Sequence, residues 1–194
     1  ALEAMERAAS FFGAGMTRFL TCGSTSGVLT MLAVAAGRGG RVLLTRDVHQ
    51  SVMHGIAVLG LQPVFIPQVA RSVSCVGGVP DVAALRRVIE TDAHAKTLFL
   101  TCPNYYGETY PLQTICDLAH RHGVTVIVDE AHGAHYAADP SHLPPTALSQ
   151  GADLVVQSAH KTLPALTSAA CLHVSQQAIA SGRVSPERVE PCLR

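Results

Sequence analysis

The 194-residue sequence is 48% hydrophobic and only 14% charged, which excludes intrinsic disorder and gives enough apolar surface for one sizeable core. Fourteen basic side chains balance fourteen acidic ones without any Lys/Arg run; the electrostatic footprint of a nucleic-acid or anionic-membrane binder is missing, and a small-molecule partner is expected. No apolar run reaches the roughly 18 residues of a membrane span, and six cysteines scattered without a C-x-x-C pair suit a reduced, cytoplasmic setting.

In chain order, ALEAMERAASFFGAG (1–15) is an amphipathic stretch with two glutamates, lacking the basic leader and apolar centre of an export signal. TRFLTC (17–22) reads as a strand. STSGVLTMLAVAAG (24–37) reads as a helix that opens on hydroxyl residues and ends at Gly37. RVLLT (41–45) is the next strand, followed by a helix over 50–59 and a strand at PVFIP (63–67). DVAALRRVIE (81–90) begins with Asp81 at the N-cap position, where its carboxylate can accept from orphan backbone N–H groups. TLFLTC (97–102), a helix over LQTICDLAHRHG (112–123), TVIVD (125–129) and LVVQS (154–158) complete the pattern. The tail, SPERVEPCLR, carries no obvious terminal element, and the chain reads as part of a larger one.

Alternation of β-branched runs with helical patterns predicts an α/β fold, a mostly parallel sheet in a three-layer α/β/α arrangement. There is no internal repeat, and the proline-punctuated loop at 137–146 is too short to divide domains. Each βα junction is polar: CGSTSG, TRDVHQS, CPNYYG, VDEAHGAH and QSAHKT. Ligands of open α/β sheets bind outside the carboxyl ends of the strands, so these five segments are expected to converge on one site.

The segment VIVDEAHGAHY (126–136) places two acids and two histidines at the end of an apolar strand. Its D-E-A-H resembles the Walker B element of DEAH-box helicases, but that chemistry needs G-x-x-x-x-G-K-[ST], because a lysine must reach the nucleotide phosphates. No Gly-Lys dipeptide exists in the sequence. A zinc site built from Asp129, Glu130, His132 and His135 is the other alternative; a βα loop does not reproduce the helical H-E-x-x-H spacing that puts two ligands on one face. No metal is therefore expected.

Only two lysines are present, Lys96 and Lys161, and Lys161 follows Asp129 by 32 residues, just beyond a Ser-x-His triplet. An amine, a strand-end carboxylate and a hydroxyl-rich helix start are the three groups that pyridoxal phosphate (PLP) requires. They serve its aldehyde, its ring nitrogen and its phosphate respectively.

FFGAGMTRFLTCGSTSG, LLTRDVHQSVMHGIAVLG, TCPNYYGETY, VDEAHGAHY and GADLVVQSAHKTLPALTSAACLH together, and in this order, resemble the Orn/Lys/Arg decarboxylase family. The resemblance covers nearly the whole chain and implies the major domain of a PLP-dependent enzyme of the aspartate aminotransferase type I fold, with a small C-terminal domain outside these residues. It implies that Lys161 carries the cofactor and Asp129 pairs with its ring nitrogen. His49 would stack on the ring, and His132 would sit near cofactor and substrate carboxylate. Ser158, Thr25 and Ser26 would contact the phosphate, although Thr25 and Ser26 could also simply cap their helix. His160 would touch cofactor or substrate. Glu130 could be a carboxylate supporting the site from behind Asp129, but Asp129 already fills the required role, and a structural hydrogen bond or ion pair fits Glu130 at least as well; His54, His135 and His173 are read as structural.

The implied reaction is decarboxylation of arginine, lysine or ornithine to a polyamine-type amine by a cytoplasmic homodimer or larger homo-oligomer. A PLP-fold aminotransferase, or a fragment without activity, is the alternative. Three departures from the family's pattern are visible: Asn104 stands for a threonine in P-T-Y-x-G, Ala159 for a frequent threonine, and Ser168 for a frequent glutamine. They bear on substrate detail and interfaces.

Overall fold

The structure, a computed structural model, describes residues 1–69 and 78–193; Cys75 lies outside them. Its elements in chain order are α1 (Leu2–Phe12), β1 (Met16–Leu20), α2 (Gly23–Ala35), β2 (Arg41–Leu44), α3 (Gln50–Leu59), β3 (Gln62–Phe65), β4 (Gln68–Val69), β5 (Val79–Pro80), α4 (Val82–Thr91) and β6 (Ala95–Thr101). After these come α5 (Leu112–Arg121), β7 (Thr125–Asp129), a 3-10 turn (Ala134–Ala138), β8 (Leu154–Gln157), α6 (Ala159–Thr162), β9 (Ala170–Val174), α7 (Gln176–Ala180) and α8 (Pro186–Cys192).

Seven strands form one sheet in the order β1-β9-β8-β7-β6-β2-β3, while β4 and β5 pair separately. Neighbours from β8 to β3 run parallel, and β9 is antiparallel to both β8 and β1. Helices cover both faces, which is why β7 and β8 are buried along their whole length and read as continuous apolar runs. Side chains alternate between two cores. Leu98, Leu100, Val126 and Val128 pack with α4 and α5 through Leu85 and Ile115. Phe99, Ile127, Leu154 and Val156 face Met31 of α2 and Val52 of α3.

α2 lies so close to the sheet that a Cβ on Gly27 would meet Val156 Cγ2 at 2.5 Å and Leu20 Cδ1 at 2.8 Å. Asp81 caps α4 as expected, accepting from the N–H groups of Ala83 (2.9 Å) and Ala84 (3.0 Å).

The α3 and β7 bounds coincide with those expected from sequence, and the other anticipated elements agree within two residues. Among the elements not read from sequence, three bear on the architecture. ACLHV, of which ACLH only closed the segment GADLVVQSAHKTLPALTSAACLH, is the fully buried antiparallel strand β9. The tail that lacked an obvious element contains α8, which buries Val189, receives a hydrogen bond from Thr30 Oγ1 at Cys192 O (3.1 Å) and pairs Glu190 with Arg18. The β4-β5 ribbon was not anticipated at all.

Candidate active site

The parallel strands end on a cavity of about 440 Å³, and each of the five polar junctions contributes to its wall. Ser24 comes from the start of α2, Asp47 and His49 from the turn before α3, Tyr105 from the loop after β6, Asp129 and His132 from the loop after β7, and Lys161 from α6. The convergence expected at the carboxyl ends of the strands is what the fold produces.

Asp129, the last residue of β7, is 5% exposed, and its Oδ1 accepts the Ala131 N–H at 3.0 Å. Burial raises its carboxyl above the usual range, against that hydrogen bond and the attraction of Lys161 and His49. His132 is half-buried on the same loop; burial, then the charges of Lys161 and His49, lower its imidazole below the ordinary histidine value. Its Nε2 stands 3.1 Å from Lys161 Nζ. A neutral imidazole accepts there, with the ammonium donating.

His49 is the N-cap of α3: Nδ1 accepts the Ser51 N–H (3.2 Å) and lies 2.8 Å from Ser51 Oγ. This fixes the ring and, when it is neutral, places its proton on Nε2. Ser24 Oγ accepts from Ser158 Oγ at 2.9 Å, linking the start of α2 to the end of β8.

The remaining expected residues sit beside the cavity rather than on its wall. Ser158 is buried behind Ser24. Thr25 is exposed on the first turn of α2, and Ser26 Oγ donates to Gly23 O at 2.8 Å. Neither caps the helix: Cys22 occupies the N-cap position without a side-chain bond, so no side chain caps the first-turn N–H groups. His160 Nδ1 lies 2.8 Å from Ala169 O and ties α6 to the segment before β9.

Sequence reasoning did not single out Asp47, Thr101 or Ser24, although all three line the cavity. Asp47 Oδ1 and Thr101 Oγ1 are buried without a protein partner. Their signal was present in TRDVHQS and at the polar end of TLFLTC. Asn104, the departure from P-T-Y-x-G, is buried and holds its turn: Oδ1 accepts from the Tyr106 and Glu108 N–H groups (both 3.0 Å), and Nδ2 donates to Glu108 Oε2 (2.7 Å).

Glu130 turns away from the cavity. Its Oε1 accepts the Ala147 N–H and its Oε2 accepts from Gln157 Nε2, both at 2.7 Å; burial pushes its carboxyl up to about 7. Among the described residues no group of three or more His, Cys, Asp and Glu side chains is arranged to hold a metal ion.

The model of the Orn/Lys/Arg decarboxylase major domain matches residues 1–193. The chain belongs to this family. The uncharacterized protein YaaO of Bacillus subtilis is 39% identical over 192 residues, covering 98% of this chain and 39% of YaaO. Arginine decarboxylase of Bacillus subtilis is 33% identical over 192 residues, covering 98% of this chain and 38% of that protein. The chain therefore spans about two-fifths of the length of these curated relatives. Among solved structures, Escherichia coli constitutive lysine decarboxylase superimposes with a TM-score of 0.78 at 21% identity, covering 98% of this chain and 28% of the other. Ureidoglycine-glyoxylate aminotransferase of Bacillus subtilis gives 0.74 at 16%, covering 99% and 45%. The fold is that of the major domain of type I PLP-dependent enzymes.

Proposed function

We propose that the cavity binds pyridoxal phosphate and that the protein decarboxylates a basic amino acid, arginine, lysine or ornithine. The observation that carries this reading is the meeting of Lys161 Nζ, His132 Nε2 and the buried Asp129 carboxylate on one cavity wall in a member of the Orn/Lys/Arg decarboxylase family. The residues fit the cofactor. A cavity of about 440 Å³ has an amine on its wall, a buried carboxylate at the strand end, and two orphaned buried oxygens, Asp47 Oδ1 and Thr101 Oγ1, which call for a polar ligand or water.

When bound, PLP supplies an electron-withdrawing ring that accepts the electron pair left as the α-carboxylate departs as CO₂. Lys161 would hold the cofactor through its amine. Asp129 would keep a positive charge on the ring nitrogen, a charge-assisted contact strengthened by the low dielectric around it. His49, its ring fixed by Ser51, would offer its flat face for stacking on the cofactor ring. The uncapped N–H groups of α2, with Ser24, Thr25, Ser26 and Ser158, suit a phosphate through hydrogen bonding and the helix dipole. His132, neutral and in contact with Lys161 Nζ, is placed to take a proton from that amine or return it. His160 acts by fixing α6 through Ala169 and so sets where Lys161 stands.

The chain is read as the PLP-binding large domain, with a smaller C-terminal domain outside it and a homodimer or larger homo-oligomer as the working assembly. A cytoplasmic setting is supported by the free thiols of the five described cysteines. The test is incubation with PLP, borohydride reduction and peptide mass spectrometry. The adduct is expected on Lys161 and absent in Lys161→Ala; a reducible adduct retained elsewhere in that variant defeats the assignment. CO₂ release from arginine, lysine and ornithine by the complete gene product then decides the reaction, and transamination without CO₂ would replace it by an aminotransferase.

A further inference from the structure

Glu130 lies beside Asp129 but outside the cavity, at one end of a buried chain of hydrogen bonds that crosses four strands. Thr17 Oγ1 lies 2.8 Å from His173 Nδ1, His173 Nε2 lies 3.1 Å from Gln157 Oε1, and Gln157 Nε2 donates to Glu130 Oε2 at 2.7 Å. The Ala147 N–H closes the chain on Glu130 Oε1. Thr17, His173, Gln157 and Glu130 are each no more than 1% exposed. Every proton follows from the carboxylate end. Above about pH 7, where Glu130 is a carboxylate and only accepts, Gln157 must turn its NH₂ toward Glu130 and its carbonyl toward His173. His173 must then carry its proton on Nε2, leaving Nδ1 to accept from the Thr17 hydroxyl.

The Glu130–Gln157 bond also joins two loops at their roots. Glu130 opens the loop that carries His132, directly after Asp129; Gln157 ends β8, one residue before Ser158 and four before Lys161. We propose that Glu130 is a positioning residue: through Gln157 and the Ala147 N–H it locks the Asp129/His132 loop against the Lys161 loop, and its charge sets the direction of the whole relay. The consequence for cofactor attachment rests on the function proposed above, whereas the relay and the His132–Lys161 contact do not.

Glu130→Gln keeps the shape of the clamp but must reverse the relay. Its new NH₂ faces Gln157, which has to flip, and the flipped Gln157 NH₂ then requires an unprotonated His173 Nε2. ¹⁵N-histidine NMR at pH 8 is expected to show His173 protonated on Nε2 in the wild type and on Nδ1 in Glu130→Gln. Glu130→Leu and Gln157→Leu break the clamp outright.

Two further measurements are made on proteins that still melt cooperatively. One is the change that Lys161→Met causes in the His132 ring signals; the other is PLP adduct trapped on Lys161 by borohydride. Both are expected to survive in Glu130→Gln. The His132 response is expected to vanish in the leucine variants, and the adduct to fall on the order of ten-fold, as for a site displaced by a fraction of an ångström. An Nε2 proton retained in Glu130→Gln, or leucine variants with undiminished His132 response, overturns the proposal. So does unfolding of both leucine variants, which would make the pair a requirement of the fold alone. Absence of any wild-type adduct defeats the proposed function, and the His132 response then decides the positioning role by itself.

Discussion

Glu130 and His173 lie at two points of one buried relay and are displaced in opposite senses, so replacing Glu130 with Gln should expose a pH dependence that the wild type conceals. Burial raises Glu130 from 4.5 to about 7 and lowers His173 from 6.5 to about 3. The folded protein keeps a proton on Glu130 that the unfolded chain has lost, and this contribution is fully present below pH 4.5 and disappears as pH rises to 7. Its size is about 3 kcal/mol at about 1.4 kcal/mol per unit. His173 behaves oppositely: the unfolded chain binds a proton below 6.5 that the buried ring refuses until about 3, so stability is lost as pH falls through that interval, by about 5 kcal/mol in all. Between pH 4.5 and 6.5 the unfolded chain holds one proton on His173 and the folded chain holds one on Glu130, and the two slopes cancel. Glu130→Gln removes one of them. Relative to wild type, the variant should gain stability with rising pH by about 1.4 kcal/mol per unit across that window, or roughly half a molar in the urea midpoint. Urea unfolding at several pH values between 4.5 and 6.5 measures the difference directly, and titrating groups that do not interact with Glu130 subtract out. A difference that stays flat across the window refutes the assigned protonation states.

Three other outcomes follow from the same geometry. Asp129→Asn should lower CO₂ release by roughly a hundred-fold or more, the usual cost of removing one buried charge from a developing transition state; unaltered turnover in a steady-state assay would count against its pairing with the ring nitrogen. Gly27→Ala places a methyl 2.5 Å from Val156 Cγ2 and should destabilise by about 1–3 kcal/mol, visible as a lower thermal midpoint. Among the described cysteines, Cys22 and Cys192 are exposed, whereas burial pushes the Cys102 and Cys116 thiols up to about 12 and Cys171 up to about 11. Iodoacetamide followed by peptide mapping should modify the first pair and spare the other three in the native protein.

Much of the site was legible because its polar residues occupy strand ends, where punctuation of apolar runs marks the sequence plainly. Asp129 and Lys161 stood out as candidates from that pattern and the scarcity of lysines, while the roles expected of them came from the family resemblance. β9 was not legible: ACLHV is short, carries the polar His173, and pairs antiparallel with both neighbours in a sheet whose parallel strands signal themselves by βα alternation. Glu130 was undecidable from sequence for a different reason. Its partners, Ala147 and Gln157, lie 17 and 27 residues away, and only the tertiary arrangement reveals that adjacent acids at the end of β7 serve opposite sides. Asp47 and Thr101 stand in polar strand ends that mark the sequence, but that their side-chain oxygens are buried without a protein partner becomes visible only once their surroundings are known.

The 32-residue separation of Asp129 and Lys161 has a physical meaning in the sheet. β7 and β8 are parallel neighbours, with Ile127 opposite Leu154 and Asp129 opposite Val156, so the residues leaving the two strands emerge side by side. The Lys161 Nζ contact with His132 at 3.1 Å depends on that register. A slip of one residue would move the strand end by about 3.3 Å and turn every buried side chain to the opposite face. Apolar side chains along β7 and β8 resist such a slip only as a group, because Val and Ile can substitute for one another at similar volume. The Glu130–Gln157 hydrogen bond has one geometry and sits at the strand end where register matters to chemistry. A non-directional core therefore selects the sheet, and a directional polar pair selects the alignment that brings the Lys161 amine to the His132 imidazole.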